Sequence, residues 1–162
     1  MIRKMMLFTL IAVLALAGSA VAEGEDEAFE SLFENYDRIR TQLASDSLRG
    51  VPELSVSLGT TALRLEEAEK KREDYSPCCD ALGLIAKAAD EIAAAESLEL
   101  ARAAFDRLSK PMIRYRERVA ASGFTTIHCS MADASWLQRQ GERVGNPYMG
   151  SKMPRCGTPV EE

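Results

Sequence analysis

Apolar residues recur every three or four positions through most of residues 25–121, which is the spacing of one helix face. The first run is predicted to bury Phe29, Leu32, Phe33, Tyr36, Ile39 and Leu43. Gly50 and Pro52 interrupt the pattern and predict a turn. The second run is predicted to bury Leu54, Leu58, Ala62, Leu65 and Ala68.

Two further helices are predicted between residues 76 and 121. Ser76 and Pro77 are typical of a helix start, since a hydroxyl can cap the first turn and proline lacks an N–H that is unpaired there anyway. The inward positions of this third helix are Leu82, Ile85, Ala86, Ala89 and Ile92. Ser97 is expected to cap the fourth helix, and Pro111 to kink or divide it. The fourth helix is predicted to bury Ala101, Phe105, Leu108, Met112 and Tyr115.

Short connections favour antiparallel neighbours, so the predicted fold class is all-α, an up-and-down bundle of about four helices. The bundle would occupy residues 23–121, and the Gly- and Pro-containing residues 122–162 would form an irregular tail packed on it as part of one domain. Within the tail, Asp133 is expected to cap a short helix that carries Trp136 and Leu137. Residues 146–150 (Asn-Pro-Tyr-Met-Gly) predict a turn.

Residues 1–22 have the features of a signal peptide that is removed on export. Arg3 and Lys4 supply a positive start, residues 5–17 an apolar core, and residues 20–22 (Ala-Val-Ala) a cleavage site. The apolar core is shorter than the ~20 residues that span a bilayer, although an uncleaved membrane anchor is the alternative interpretation. We therefore expect a periplasmic or secreted protein.

Cleavage would leave 18 basic and 25 acidic side chains, a formal balance of −7. An acidic balance argues against a nucleic-acid partner, which requires a basic surface. Since no second apolar run of membrane length follows, we expect no membrane insertion of the mature protein.

The tail concentrates sulfur and imidazole side chains. The six candidate ligands of a soft metal ion are His128, Cys129, Met131, Met149, Met153 and Cys156. Thiolate and thioether sulfur favour ions such as Cu(I) or Ag(I). Alternatively, Cys129 and Cys156 form a disulfide, which is the usual state of cysteines in an oxidising compartment and would stabilise the fold by roughly 3 kcal/mol.

Cys78 and Cys79 are adjacent in the sequence, and a bond between neighbouring cysteines strains the backbone. If all four cysteines form disulfides without that bond, Cys78 pairs with Cys129 and Cys79 with Cys156, or the reverse. The pair could instead remain as thiols or add ligands to a metal site in the tail.

No catalytic residues are predicted. His128 is the only histidine, and no Ser-His-acid set is indicated around it. With one histidine and no Cys-x-x-Cys pair, the sequence has neither a zinc-finger nor a thioredoxin-like motif. The expectation is that the protein is not an enzyme.

The tail resembles a family signature, that of the helical domain of unknown function 3347. The matching segments are residues 128–131 (His-Cys-Ser-Met), Trp136, residues 146–150 (Asn-Pro-Tyr-Met-Gly), and residues 153–157 (Met-Pro-Arg-Cys-Gly), with residues 101–109 upstream. The chain departs from the family at position 130, where the family has proline and this sequence has serine, and in carrying adjacent cysteines at 78 and 79.

The resemblance implies metal handling, because this family also occurs as a C-terminal domain on periplasmic adaptors of copper and silver efflux pumps. Carried over by position, the implied ligands are Cys129, Met131, Met153 and Cys156. The first hypothesis is thus a periplasmic protein that binds Cu(I) or a similar ion and works with a component of a heavy-metal efflux system. The second is a disulfide-stabilised helical interaction module of the cell envelope that binds no metal.

Overall fold

A computed structural model of the protein describes residues 26–73 and 80–160. Four helices precede a small antiparallel sheet in this part of the chain. The helices are α1 (26–44), α2 (Val51–Glu69), α3 (Ala81–Ala93) and α4 (Leu98–Arg118). The strands are β1 (Phe124–Cys129), β2 (Ala134–Arg139) and β3 (Thr158–Pro159), with a short 3₁₀ helix at Gly150–Lys152. The fold is therefore mostly helical, and the all-α prediction was incomplete.

The helical half follows its apolar pattern closely except in α2. Leu54 and Leu65 are only half-buried there. Ala68, predicted to be buried, is exposed because it lies at the edge of the face that carries Leu58 and Ala62. All six predicted positions of α1 are fully buried.

Ser97 caps α4 as predicted, since its hydroxyl accepts a hydrogen bond from the Leu100 N–H at 3.2 Å. Pro111 lies inside α4 and is buried, but the helix continues past it to Arg118 and is not divided.

The start of α3 differs from the prediction. The helix begins at Ala81, and its capping residue is Asp80, whose Oδ1 accepts from the Gly83 N–H at 2.9 Å. A carboxylate satisfies first-turn N–H groups as well as a hydroxyl does, so Asp80 can take the role assigned to Ser76. Ser76 and Pro77 themselves lie outside the described residues.

The predicted short helix after Asp133 was wrong, because Trp136 and Leu137 lie in β2. This strand forms an antiparallel hairpin with β1, in which Ile127 faces Trp136. Asp133 adopts a left-handed conformation at φ 48° in the connecting turn rather than capping a helix. Aspartate is among the few residues that tolerate this conformation. The same residue type is therefore common both as a helix cap and in a tight turn, and its presence at position 133 does not distinguish the two.

The sheet packs directly on the bundle. Its strand order is β2-β1-β3, and β2 contacts α4. Trp136 and Leu137 are fully buried and belong to the same hydrophobic cluster as the helix residues Phe33, Tyr36 and Phe105. Across residues 26–73 and 80–160, no helix combines the length and apolar character needed to cross a membrane.

Candidate functional site in the C-terminal tail

Cys129 and Cys156 are brought together by the fold. Cys129 ends β1 and is 1% exposed, whereas Cys156 is partly exposed just before β3. Their sulfur atoms lie at disulfide-bonding distance, and their Cα atoms are 5.7 Å apart. That Cα separation is within the usual range for a disulfide. The pair encloses the 3₁₀ helix and the turn that precedes it.

Asn146 organises the backbone around Cys156. Its side-chain oxygen accepts hydrogen bonds from the N–H groups of Tyr148 and Met149, at 2.8 and 2.9 Å. Its side-chain amide donates to the Cys156 carbonyl at 2.7 Å, and its own N–H donates to the Pro154 carbonyl at 3.1 Å. The predicted turn is therefore held by a fully buried side chain, and Cys156 is positioned by hydrogen bonds as well as by its sulfur.

Gly157 passes over the ring of Trp136 at a separation that excludes any side chain. A Cβ atom at this position would lie 2.7 Å from Trp136 Cη2 and 2.7 Å from Ile127 Cγ2. The residue also has φ +144°, a conformation open mainly to glycine. The glycine after Cys156 thus allows β3 to reach β1 across the buried indole.

The indole of Trp136 has a polar partner despite its complete burial. Its N–H donates to the side-chain oxygen of Gln138 at 3.1 Å, and the same oxygen accepts from the Gly145 N–H at 3.0 Å. Gln138 donates in turn to the Arg143 carbonyl. These bonds hold the loop after β2 against the sheet.

Arg102 connects the tail to the helices. Its Nε donates to the Pro147 carbonyl at 2.7 Å, and its Nη2 contacts the Leu43 carbonyl at 2.7 Å and Asp46 Oδ1 at 2.5 Å. The other Asp46 oxygen accepts from the Ser151 N–H at 3.0 Å. The hydrogen bonds from Ser151 and Arg102 hold the pKa of Asp46 well below its ordinary value.

Gly150 leaves the space that this contact needs. It has φ +55°, and an added Cβ would overlap the Asp46 carboxylate and the Arg102 guanidinium. Arg40 makes a second connection, since it is 7% exposed and donates to Asp37 Oδ1 at 2.7 Å and to the Gly145 carbonyl at 3.1 Å. Sequence reasoning assigned no role to either arginine, although Arg102 lies in the helix segment quoted for the family resemblance.

A buried hydroxyl network lies between the bundle and the sheet. The Tyr36 and Ser109 hydroxyls are 2.8 Å apart, and the Leu137 N–H donates to the Tyr36 oxygen at 3.1 Å. The Tyr148 hydroxyl donates to the Ser135 carbonyl at 2.9 Å. Burial raises the pKa of both tyrosines above the ordinary value, because the charged phenolate would lose its hydration.

The other four candidate ligands have separate environments. Met131 lies in the turn between β1 and β2 and is 66% exposed, and Met153 is 38% exposed. Met149 is half-buried and packs against the core. His128 is half-buried, and its Nδ1 is 3.1 Å from Ser135 Oγ. Because successive strand residues point to opposite faces, His128 does not share the face of Cys129.

Within the described chain, no three side chains of His, Cys, Asp or Glu converge as metal ligands would. The Cys129–Cys156 arrangement also differs from the two pairings that link these residues to Cys78 and Cys79. Those two cysteines, like residues 1–22, lie outside the described residues.

No protein-family model matches the sequence, and neither a curated protein nor a solved structure matches the chain. The resemblance described above is therefore carried by the sequence motifs alone.

Proposed function

We propose that this chain is an exported, disulfide-stabilised helical module that binds a protein partner in the cell envelope. The observation that carries the proposal is the placement of Cys129 and Cys156 at bonding distance, with Cys129 almost completely buried. Disulfides persist in oxidising compartments and are rare in the cytosol. The signal-peptide pattern of residues 1–22 agrees with such a location.

The disulfide favours this function over resident metal binding through the cysteines. A metal ion is bound by thiolates, and oxidation to a disulfide removes both of them. The surrounding contacts of Asn146, Gly157 and Arg102 hold the tail in one conformation on the bundle. A tail held in this way presents a fixed surface, which lowers the entropic cost of binding a partner.

The proposed partner is the periplasmic adaptor of a heavy-metal efflux system from the same cell, as the family resemblance implies. Titration of labelled, oxidised protein with purified adaptor should give saturable fluorescence anisotropy. The Cys129→Ala/Cys156→Ala variant should bind equally in buffer, because Asn146 and Arg102 still hold its tail on the bundle, and should lose binding at a lower urea concentration than the oxidised protein. Absence of binding by the oxidised protein would contradict this choice of partner.

Soft-metal binding by the reduced protein is the second candidate function. The exposed thioethers of Met131 and Met153 favour it, since each lies within three residues of a cysteine and is open to solvent. Reduction would free two thiols, which bind metal ions as thiolates, and thiolate with thioether is a donor set suited to Cu(I) or Ag(I). The two candidates thus correspond to two oxidation states of the same sulfurs.

A competition with a coloured Cu(I) chelator tests the second candidate. The reduced protein should withdraw Cu(I) from the chelator, and Met131→Leu and Met153→Leu should each weaken this. Met112→Leu is the matched control, because Met112 is a fully buried thioether in α4. A reduced wild-type protein with no measurable Cu(I) affinity would exclude this function and leave the first proposal untouched.

A further inference from the structure

A groove lies between α1 and α2 and the turn that connects them, in a part of the chain that carries none of the cysteines or methionines discussed above. Its volume is about 840 Å³, and its lining includes Asn35, Arg38, Gln42, Arg49, Glu53 and Ser57. This volume is within the range of small-molecule sites. The exposed lining of the groove is more apolar than polar but also carries charged and amide side chains, which suits a ligand with both an apolar part and a charged group.

Two guanidinium groups of the groove have no protein partner in the described chain. Arg38 and Arg49 are both exposed, and neither side chain forms a hydrogen bond or ion pair with residues 26–73 or 80–160. Arg40 and Arg102, by contrast, are both bound to carbonyl and carboxylate oxygens. The donors of Arg38 and Arg49 are therefore available to a ligand that enters the groove.

A hydrogen bond joins the two helices that line the groove. Asn35 from α1 donates its amide to Ser57 Oγ from α2 at 3.1 Å, which connects the two helices. Leu54 supplies a half-buried apolar wall beside this hydrogen bond. Because Asn35, Leu54 and Ser57 all lie on helices, the backbone of this part of the groove needs no ordering when a ligand binds.

The charge of the groove selects the sign of the ligand. The lining contains Arg38 and Arg49 but one carboxylate, Glu53, so it is net positive in a chain with a formal charge of −5. Guanidinium groups bind planar carboxylates and phosphates through paired hydrogen bonds. Glu53 repels a second negative charge and so favours a monoanion.

We propose that the groove between α1 and α2 binds a small oxyanion, a carboxylate or a phosphate, through Arg38 and Arg49. Butyrate tests whether the groove binds a carboxylate, since its short aliphatic chain can contact Leu54. Inorganic phosphate tests whether the groove binds a phosphate. The site involves no residue of the tail, so this inference stands or falls separately from the proposed function.

The experiment is an NMR titration of the arginine Nε–H signals of the mature protein, at ionic strength held constant with sodium chloride. One or both anions should produce saturable shifts at Arg38 and Arg49. Arg38→Gln and Arg49→Gln should each weaken binding about fivefold, the upper end for exposed ion pairs. Glu53→Gln should strengthen the binding of phosphate, because it removes the repelling charge.

Arg64→Gln is the matched control, since Arg64 is an exposed arginine of α2 that does not line the groove. Its substitution should leave both titrations unchanged. Saturation by butyrate alone assigns the site to carboxylates, and saturation by phosphate alone assigns it to phosphates. Unsaturated shifts with both anions, or equal shifts at Arg64, would overturn the proposal.

Discussion

Breaking the Cys129–Cys156 disulfide should lower the stability of the protein without unfolding it. The two residues are 27 positions apart, and closing a loop of this length removes unfolded-state entropy worth about 3.5 kcal/mol at 25 °C. Domains of this size unfold with an entropy that converts 1 kcal/mol into about 3 °C. We therefore expect the melting temperature to fall by about 10 °C on reduction.

The native tail should remain docked after reduction. Asn146 still bonds to the Cys156 carbonyl, and Arg102 still bonds to the Pro147 carbonyl, whatever the state of the sulfurs. The fluorescence of Trp136, the only tryptophan and fully buried, should consequently be unchanged in buffer. The loss of stability should appear only as unfolding at a lower urea concentration and at a lower temperature.

The assay compares urea transitions of the oxidised protein with those of the Cys129→Ala/Cys156→Ala variant, followed by Trp136 fluorescence. The midpoint should fall while the denaturant dependence changes little. Repeating the comparison in a Cys78→Ser/Cys79→Ser background separates the effect from that of the other two cysteines. Free energies of unfolding that differ by less than about 1 kcal/mol between the two proteins would refute the loop-entropy explanation.

Three further predictions concern the contacts between tail and bundle. Gly150→Ala should cost more than about 2 kcal/mol, because its methyl overlaps a carboxylate, whereas Gly141→Ala, at φ +80° with nothing within 4 Å, should cost only the left-handed strain of about 1 kcal/mol; urea unfolding of both variants measures the difference. Arg102→Gln should cost about 1–3 kcal/mol by leaving the Pro147 carbonyl without its donor and removing the ion pair with Asp46, and Arg64→Gln, at an exposed position of α2, should stay within about 0.5 kcal/mol; equal costs would contradict the assigned contacts. Burial raises the pKa of Tyr36, so the folded protein disfavours the charged phenolate. The free energy of unfolding is therefore unaffected by this group below the unfolded pKa of about 10 and decreases as pH rises above it. Tyr36→Phe should make the urea midpoint less sensitive to pH above about 10, and an unchanged sensitivity would count against burial of Tyr36 as the cause.

The helices were predictable because their apolar residues are regularly spaced. In α1 and α4, most inward positions are aliphatic or aromatic and match a single face. The start of α3 was placed too early because Ser76-Pro77 and Asp80 are both acceptable starts locally. Only the packing of the complete helix distinguishes them.

The sheet was not predictable by the same reasoning. In β2, Trp136, Leu137 and Gln138 are buried consecutively, so the strand lacks the alternation of a half-exposed strand. The turn between the strands contains no glycine, and its left-handed residue is Asp133. Each signal is compatible with a short helix, and the pairing of β2 with β1 decided the outcome.

The candidate site was predictable in part. The turn at Asn146 follows from local sequence, whereas the Cys129–Cys156 pair was one of several alternatives that the sequence left open. The contacts of Arg102 do not, because they join residues 56 positions apart at Asp46 and 45 positions apart at Pro147. Arginines of this kind are recognised only when the fold places carbonyl groups around them.

The most direct test of the central claim is non-reducing peptide mapping of the protein recovered from the cell envelope, after thiols have been blocked with an alkylating reagent. We predict a disulfide-linked pair of peptides that contain Cys129 and Cys156, on a chain that begins at Glu23. Alkylated Cys129 and Cys156, or a chain that retains residues 1–22, would contradict an exported module stabilised by this disulfide.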